Sequence, residues 1–268
     1  YSSTSTDNGK SWGKVTDITD QVYNGVYGEG TRYGLFTGSG SGIQLKHGAH
    51  AGRLMLVVAA RNDATWGGTM SNYAIYSDDG GQTWQASKNA ACTNGDEAKV
   101  VELPNGNILM SIRNRAKGHR LFSTSTDGGE TWSEPKLNTT ILDPACNGDI
   151  ISYTYKGKNL LLHSLPASPT TRENVTVYVS EDNGETWTPK RCIYKGYSAY
   201  SSLQVLDDGT IGIIVEEGKE DWQKIVADFY DGFEDKIAEA NGDSFSLKDK
   251  EEVSSVICER CGAHMVVR

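Results

Sequence analysis

Two patterns in this sequence put carboxylates, thiols or imidazoles at spacings that could do chemistry. The first is Ser-x-Asp-x-Gly-x-(Ser/Thr)-Trp, which occurs four times, at Ser5–Trp12, Ser77–Trp84, Ser125–Trp132 and Ser180–Trp187. An Asp followed by Asn and Gly is similar to the opening of a calcium-binding EF-hand loop, but that loop needs a Glu at its twelfth position and flanking helices. None of the four copies continues that way. What remains is local chemistry: Asp-Asn-Gly and Asp-Gly-Gly supply the positive φ of a tight turn, and the Asp carboxylate can accept backbone N–H groups across it. The four motifs are expected as structural turns with no catalytic part. The second pattern is Cys258-Glu259-Arg260-Cys261, with His264 close behind. Its spacing suits two ligands of a tetrahedral zinc site, with His264 as a candidate third, but no second Cys pair follows. Half a site is expected to hold no metal. Cys92, Cys146 and Cys192 lie far apart, and five cysteines are an odd number, so no disulfide framework follows.

The repeated turns need strands to carry them. The motif tryptophans Trp12, Trp84, Trp132 and Trp187 are 72, 48 and 55 residues apart, a spacing that fits one four-stranded β-propeller blade per repeat, with an insertion in the first interval. Alternating apolar and polar residues predict strands at 73–76, 120–123 and 175–179, just before three of the turns, and at 107–112 and 211–215. The first two hundred residues therefore read as all-β. A chain of 268 residues with 30 glycines has room for a large core and many turns. The balance of 26 basic and 35 acidic residues, −9 overall, argues against a nucleic-acid backbone as partner. No apolar run approaches the length of a membrane span. Tyr1 is followed by no export pattern, and the sequence reads as beginning inside a domain. Beyond Glu217 the period changes: Trp222, Ile225, Val226, Phe229, Phe233 and Ile237 share one face at helical spacing, which predicts an amphipathic helix.

Repeated Asp-boxes resemble those of the bacterial sialidases, although non-enzymatic propellers carry them too. Four further stretches strengthen the likeness and stand in that family's order: Gly40–Leu45, Asp96–Leu103 with Asn105-Gly106, Ser111–Arg115, and Tyr197–Leu203. The resemblance covers residues 1 to about 217. It implies a six-bladed β-propeller that hydrolyses terminal α-linked sialic acids from glycoconjugates without a cofactor, with secretion or display at the cell surface. It further implies that Tyr200 is the nucleophile, that Glu97 activates it, and that Arg113 and Arg172 are two members of an arginine triad gripping the sialic acid carboxylate. Elementary chemistry supports such a set. A carboxylate on the anomeric carbon repels an anionic nucleophile, and sialidases are the tyrosine exception among glycosidases. A phenol titrates near pH 10 and needs a base within hydrogen-bond reach. Guanidinium forks match a planar carboxylate and stay charged. Of two nearby tyrosines, Tyr197 reads as the core residue and Tyr200 as the functional one. Arg115 and Arg120 receive no role and are expected solvated or paired.

The family's first triad arginine and its acid/base aspartate precede the first Asp-box, where this sequence starts. The expectation is impaired acid catalysis, and about four blades in residues 1–217. Residues 218–268 form a second unit in this reading. Asp221–Tyr230 and the Cys258–Gly262 tail resemble bacterial type IA DNA topoisomerases at the passage into their zinc ribbons. Seven basic and twelve acidic residues between Lys219 and Arg268 nevertheless disfavour DNA affinity. The fold expectation is thus a partial six-bladed propeller with a short α-helical tail, and neither nucleic acid nor membrane as partner. Two alternatives stand beside it: a non-catalytic Asp-box propeller that binds glycan or protein, in which Tyr200, Glu97, Arg113 and Arg172 would not converge, and a fragment of a topoisomerase fusion.

Overall fold

The computed structural model describes residues 1–31, 33–38, 40–65 and 67–218, together with the backbone of two strands at Lys224–Tyr230 and Lys250–Glu252. Cys258, Cys261 and His264 lie outside the described residues. Within them the chain builds four antiparallel sheets in sequence order. The first contains β1 (Leu35–Thr37), β2 (Ile43–Gln44), β3 (Leu54–Arg61), β4 (Met70–Ser77), β5 (Gln85–Ala86) and β6 (Cys92–Gly95). The second contains β7 (Ala98–Glu102), β8 (Ile108–Ile112), β9 (Gly118–Ser125) and β10 (Lys136–Asp143). The third contains β11 (Asp149–Tyr155), β12 (Lys158–Pro166), β13 (Val175–Ser180) and β14 (Thr188–Cys192). The fourth contains β15 (Ser198–Val205), β16 (Ile211–Glu217), β17 (Lys224–Tyr230) and β18 (Lys250–Glu252). The last three sheets are simple meanders of four strands; of the strands expected from alternation, 73–76 falls in β4 of the first sheet and the others coincide with β8, β9, β13 and β16.

The core is divided among the seams between successive sheets. Met55, Val57 and Ala74 of the first sheet pack with Val100, Ile108 and Met110 of the second. Leu109 and Phe122 of the second pack with Ile150, Leu161 and Tyr178 of the third, and Leu162, Val177 and Val179 of the third with Leu203, Ile213 and Val215 of the fourth. Each sheet is therefore buried against its neighbours, which is why β8 and β13 are buried at every position.

The Asp-boxes fill the connections β4–β5, β9–β10 and β13–β14. In the box after β9, Asp127 accepts the Thr131 N–H at 2.9 Å and the Thr131 hydroxyl at 2.5 Å, while Ser125 Oγ accepts the Gly129 N–H at 2.8 Å. The boxes at Asp7, Asp79 and Asp182 repeat this pattern. Gly129 has φ +88° and Gly184 φ +92°, the left-handed backbone that reserves these positions for glycine. The following indole folds back, Trp132 Nε1 donating to the Gly129 carbonyl at 3.2 Å and Trp187 Nε1 to the Gly184 carbonyl at 3.1 Å. Both rings are buried in the seam between their own sheet and the preceding one. Trp12, from the first box, is 64% exposed.

Three differences from the sequence reading emerge. A nine-residue helix, α1 (Thr19–Tyr27), which no periodicity in the sequence announces, covers the first sheet through Val22. Within the segment read as an amphipathic helix, Trp222–Ile237, the described residues Lys224–Tyr230 form strand β17 instead, and the rest of the segment lies outside the described residues. Strand β17 pairs with the whole length of β16, from Glu217↔Lys224 to Ile211↔Tyr230. A run rich in β-branched and aromatic residues suits a strand, and pairing it here also satisfies the N–H and C=O groups of a β16 edge that a helix would leave open. The fourth sheet consequently extends past residue 217. Finally, Tyr197 is not a core residue: it stands just ahead of β15, held by an isolated bridge to Glu173, and is 49% exposed.

Candidate active site

The box turns occupy one end of the sheets. At the other end lie the residues that could do acid–base chemistry: Glu97 just before β7, Arg113 just after β8, Arg172 in the β12–β13 connection, and Tyr200 near the start of β15. Because Ala98 pairs with Ile112, Glu97 and Arg113 flank the same rung of the second sheet, and the Arg113 N–H donates to the Glu97 carbonyl at 2.9 Å. Their side chains and those from the third and fourth sheets meet over this end.

The contacts are short. Tyr200 Oη donates to Glu97 Oε2 at 2.9 Å. Arg113 Nη1 donates to the same Glu97 oxygen at 2.6 Å and to Tyr200 Oη at 3.3 Å. The Arg172 guanidinium carbon sits 5.7 Å from the centre of the Tyr200 ring, and its Nη2 donates to the Ala145 carbonyl at 3.4 Å. All four residues singled out in the sequence are thus drawn into one constellation, contributed by three sheets. Side-chain exposure is 16% for Arg113 and 11% for Glu97, low enough to strengthen their interaction and high enough to leave access.

Electrostatics follow from this geometry. Burial is the main reason the Tyr200 phenol is held well above its ordinary value; the Glu97 carboxylate adds to the rise, while Arg113 opposes it. Burial disfavours the Arg113 charge, but Asp96, Glu97 and Tyr200 together outweigh that effect and raise its pKa. The free phenol is therefore neutral across the physiological range. It ionises only by passing its proton to a neighbour, and Glu97 is the carboxylate in hydrogen-bond contact.

Three participants escaped the sequence reading. Asp96 lies 3.9 Å from Arg113 Nε and 3.4 Å from Arg115 Nη1. Arg115 is thus paired, and it also donates to the Gly67 carbonyl at 3.0 Å, tying the β3–β4 loop to this end. Glu216, on β16, accepts the Tyr200 backbone N–H at 3.2 Å. Burial pushes the Glu216 carboxyl up, against the pull of that N–H and of Arg172. Cys146 is fully buried beside these groups, and burial pushes its thiol up to about 12 against the pull of Arg172 and Arg113, so it stays a thiol. Asp96 opens the Asp96–Leu103 stretch but received no role from it, and Glu216 and Cys146 stand in no motif; the folded pairing identifies all three. Among the described residues no cluster of His, Cys, Asp and Glu could hold a metal ion, and no helix is long and apolar enough to cross a membrane.

Comparison with known proteins places this geometry in context. Residues 1–213 match the family described as BNR repeat-like domain. A sialidase of Micromonospora viridifaciens is 37% identical over 223 residues, covering 80% of this chain and 33% of that protein. A sialidase of Bacteroides fragilis is 33% identical over 221 residues, covering 79% of this chain and 38% of that protein. Among solved structures, the Hadza microbial sialidase Hz136 superposes with a TM-score of 0.67 at 29% identity, over 79% of this chain and 40% of that one. The chain spans about a third of the length of these curated relatives.

Proposed function

This chain belongs to the BNR repeat-like family, whose relatives here are sialidases, and from that premise we propose that its site cleaves α-linked sialic acids with Tyr200 as nucleophile. One observation carries the reading: a phenol, hydrogen-bonded at 2.9 Å to a carboxylate, with a guanidinium on both oxygens. A purely glycan-binding surface has no use for a phenol poised against a base.

In this mechanism Arg113 and Arg172 hold the substrate carboxylate and orient the anomeric carbon toward Tyr200 Oη. As the phenol oxygen forms its bond to that carbon, its proton passes to Glu97 Oε2 and the bond to the aglycone oxygen breaks. Arg113 Nη1, 3.3 Å from Oη, stabilises the negative charge that develops on the phenol oxygen during transfer. Water then attacks the anomeric carbon, the phenol oxygen leaves and takes its proton back from Glu97, and the proton given up by the water passes to solvent, where it balances the aglycone anion released in the first step. Two displacements at one carbon give net retention. No residue of this chain is assigned to protonating the departing oxygen, so aglycones that leave as stable anions are the substrates of choice for a test.

We further assign residues 1–217 to the sialidase-type part, its four sheets being four blades of a six-bladed propeller. Residues 218–268, with their likeness to topoisomerases, form an appended segment that lends strands to the last blade. Sialylated glycoconjugates are the partners this assignment implies. The experiment is hydrolysis of an aryl α-sialoside by the 268-residue chain, followed by proton NMR. Release of the α-anomer first, lost in Tyr200→Phe, is expected. A folded chain that binds sialic acid equally well with and without Tyr200 and releases no aryl alcohol would overturn the proposal in favour of glycan binding.

A further inference from the structure

Beneath the site lies an ion pair that the mechanism does not use. Arg120 on β9 and Asp143 at the end of β10 are both completely buried, with Nη1 and Oδ2 3.0 Å apart. A buried pair of this kind is poor evidence of a stability role, because apolar residues of equal volume often serve a core as well or better. This one even leaves Arg120 Nη2 without a hydrogen bond. Its remaining bonds all go to backbone or side chains around the candidate site. Asp143 Oδ2 accepts the N–H of Asn114, the residue after Arg113, at 3.0 Å. Asp143 Oδ1 accepts the Cys146 N–H at 3.0 Å, and Arg120 Nη1 donates to the Cys146 carbonyl at 2.7 Å. Between the two anchored ends of that loop stands Ala145, at φ +62°. A residue with a Cβ keeps this left-handed backbone only where its surroundings impose it. The Ala145 carbonyl is the one that receives Arg172 Nη2. Arg120 is itself fixed by Ser111 Oγ at 2.9 Å, which His163 Nε2 holds at 2.7 Å.

We propose that Arg120 and Asp143 are positioning residues that fix the separation of Arg113 and Arg172, and with it the site's selectivity for a carboxylate. The two guanidinium groups come from different sheets, and no hydrogen bond between them sets their distance. The buried pair links their supports: one foot under Arg113 through the Asn114 N–H, the other under Arg172 through the 143–146 turn. This inference rests on reading the two arginines as carboxylate holders.

The test compares binding of free sialic acid and its carboxamide, by NMR titration, in the wild-type chain, in the charge-free double variant Arg120→Met/Asp143→Leu, and in Arg120→Lys. A pair of charge-assisted hydrogen bonds gives the wild type a preference of about 10- to 100-fold for the carboxylate. In the double variant that preference collapses toward unity while affinity for the carboxamide is unchanged. Arg120→Lys keeps a charge beside Asp143, but its single nitrogen cannot occupy both the Nε position facing Ser111 Oγ and the Nη1 position facing Asp143 and the Cys146 carbonyl, so the preference falls there too. A folded variant of either kind with the wild-type preference overturns the proposal. So does failure of both to fold, which would assign the pair to the core. A wild-type chain with no preference at all would instead remove the carboxylate-holding reading on which the inference stands.

Discussion

Replacing Glu97 by Gln removes the proton acceptor of Tyr200 while keeping a side chain of the same size against Arg113. Two effects then oppose each other. The phenol loses its base, and positioned proton transfer is worth about 10²- to 10⁴-fold in rate. The neighbouring negative charge that helps raise the Tyr200 pKa also disappears, which makes the phenolate easier to form. Burial is the larger cause of that rise and remains in the variant, so relief is partial and the loss of the base dominates at neutral pH. A fall in kcat of about 10²- to 10³-fold at pH 7 is expected on an aryl α-sialoside, with little change in KM because Arg113 and Arg172 are untouched. The pH profile carries the sharper signature. With Glu97 gone, the phenol must lose its proton to solvent before attack, so the variant's rate climbs by about tenfold per pH unit through the alkaline range, where the wild type is flat. A folded Glu97→Gln chain with kcat within about threefold of wild type and an unchanged pH profile would refute the assignment of the base.

Trp187 is 3% exposed and stacks on Phe122; Trp187→Ala should cost about 3–5 kcal/mol and lower Tm by roughly 6–20 °C in calorimetry. The same change at Trp12, 64% exposed, should stay within about 0.5 kcal/mol; equal effects would contradict the docking role of the boxes. Hydrogen bonds from the Thr83 hydroxyl and backbone lower the Asp79 carboxyl to about 2. A carboxylate depressed on folding contributes stability that is present above its unfolded value near 3.8 and is lost as pH falls through about 2. Asp79→Asn should therefore lower Tm at pH 6 and converge with wild type near pH 2; parallel curves would be the contrary result. Arg172→Lys exchanges a planar fork for a point charge and should raise KM for a sialoside by about tenfold with a smaller change in kcat, and steady-state kinetics showing the reverse split would count against its role.

What could be seen in the sequence was what short-range physics dictates. The boxes were legible because a turn with two left-handed positions, a carboxylate accepting N–H groups and an indole folding back needs Asp, Gly and Trp in fixed order. Strands such as β8 and β13 were legible from composition and alternation. Helix α1 was not, because Thr19–Tyr27 contains Gly25 and two valines, poor helix formers, and only Val22 is buried; the helix depends on the sheet beneath it. The opposite error arose at β17, where helical spacing of apolar residues concealed the demand of an open β16 edge. At the site, Glu97, Arg113, Arg172 and Tyr200 stand in recognisable motifs at strand ends. Asp96 stands beside Glu97 in the same stretch, but its pairing with Arg113 and Arg115 follows only from the fold; Glu216 and the Arg120–Asp143 pair stand in no motif, and the left-handed Ala145 shows no glycine to announce it.

The most direct test of the account is chemical trapping of the nucleophile. A 3-fluorosialosyl fluoride, with a good leaving group and slow hydrolysis of the glycosylated enzyme, is incubated with the chain, which is then digested and sequenced by mass spectrometry. The added sugar is expected on the Tyr200 phenol, with no label in Tyr200→Phe; label on Glu97 or Glu216, or a folded chain that stays unmodified while binding the reagent, would contradict it.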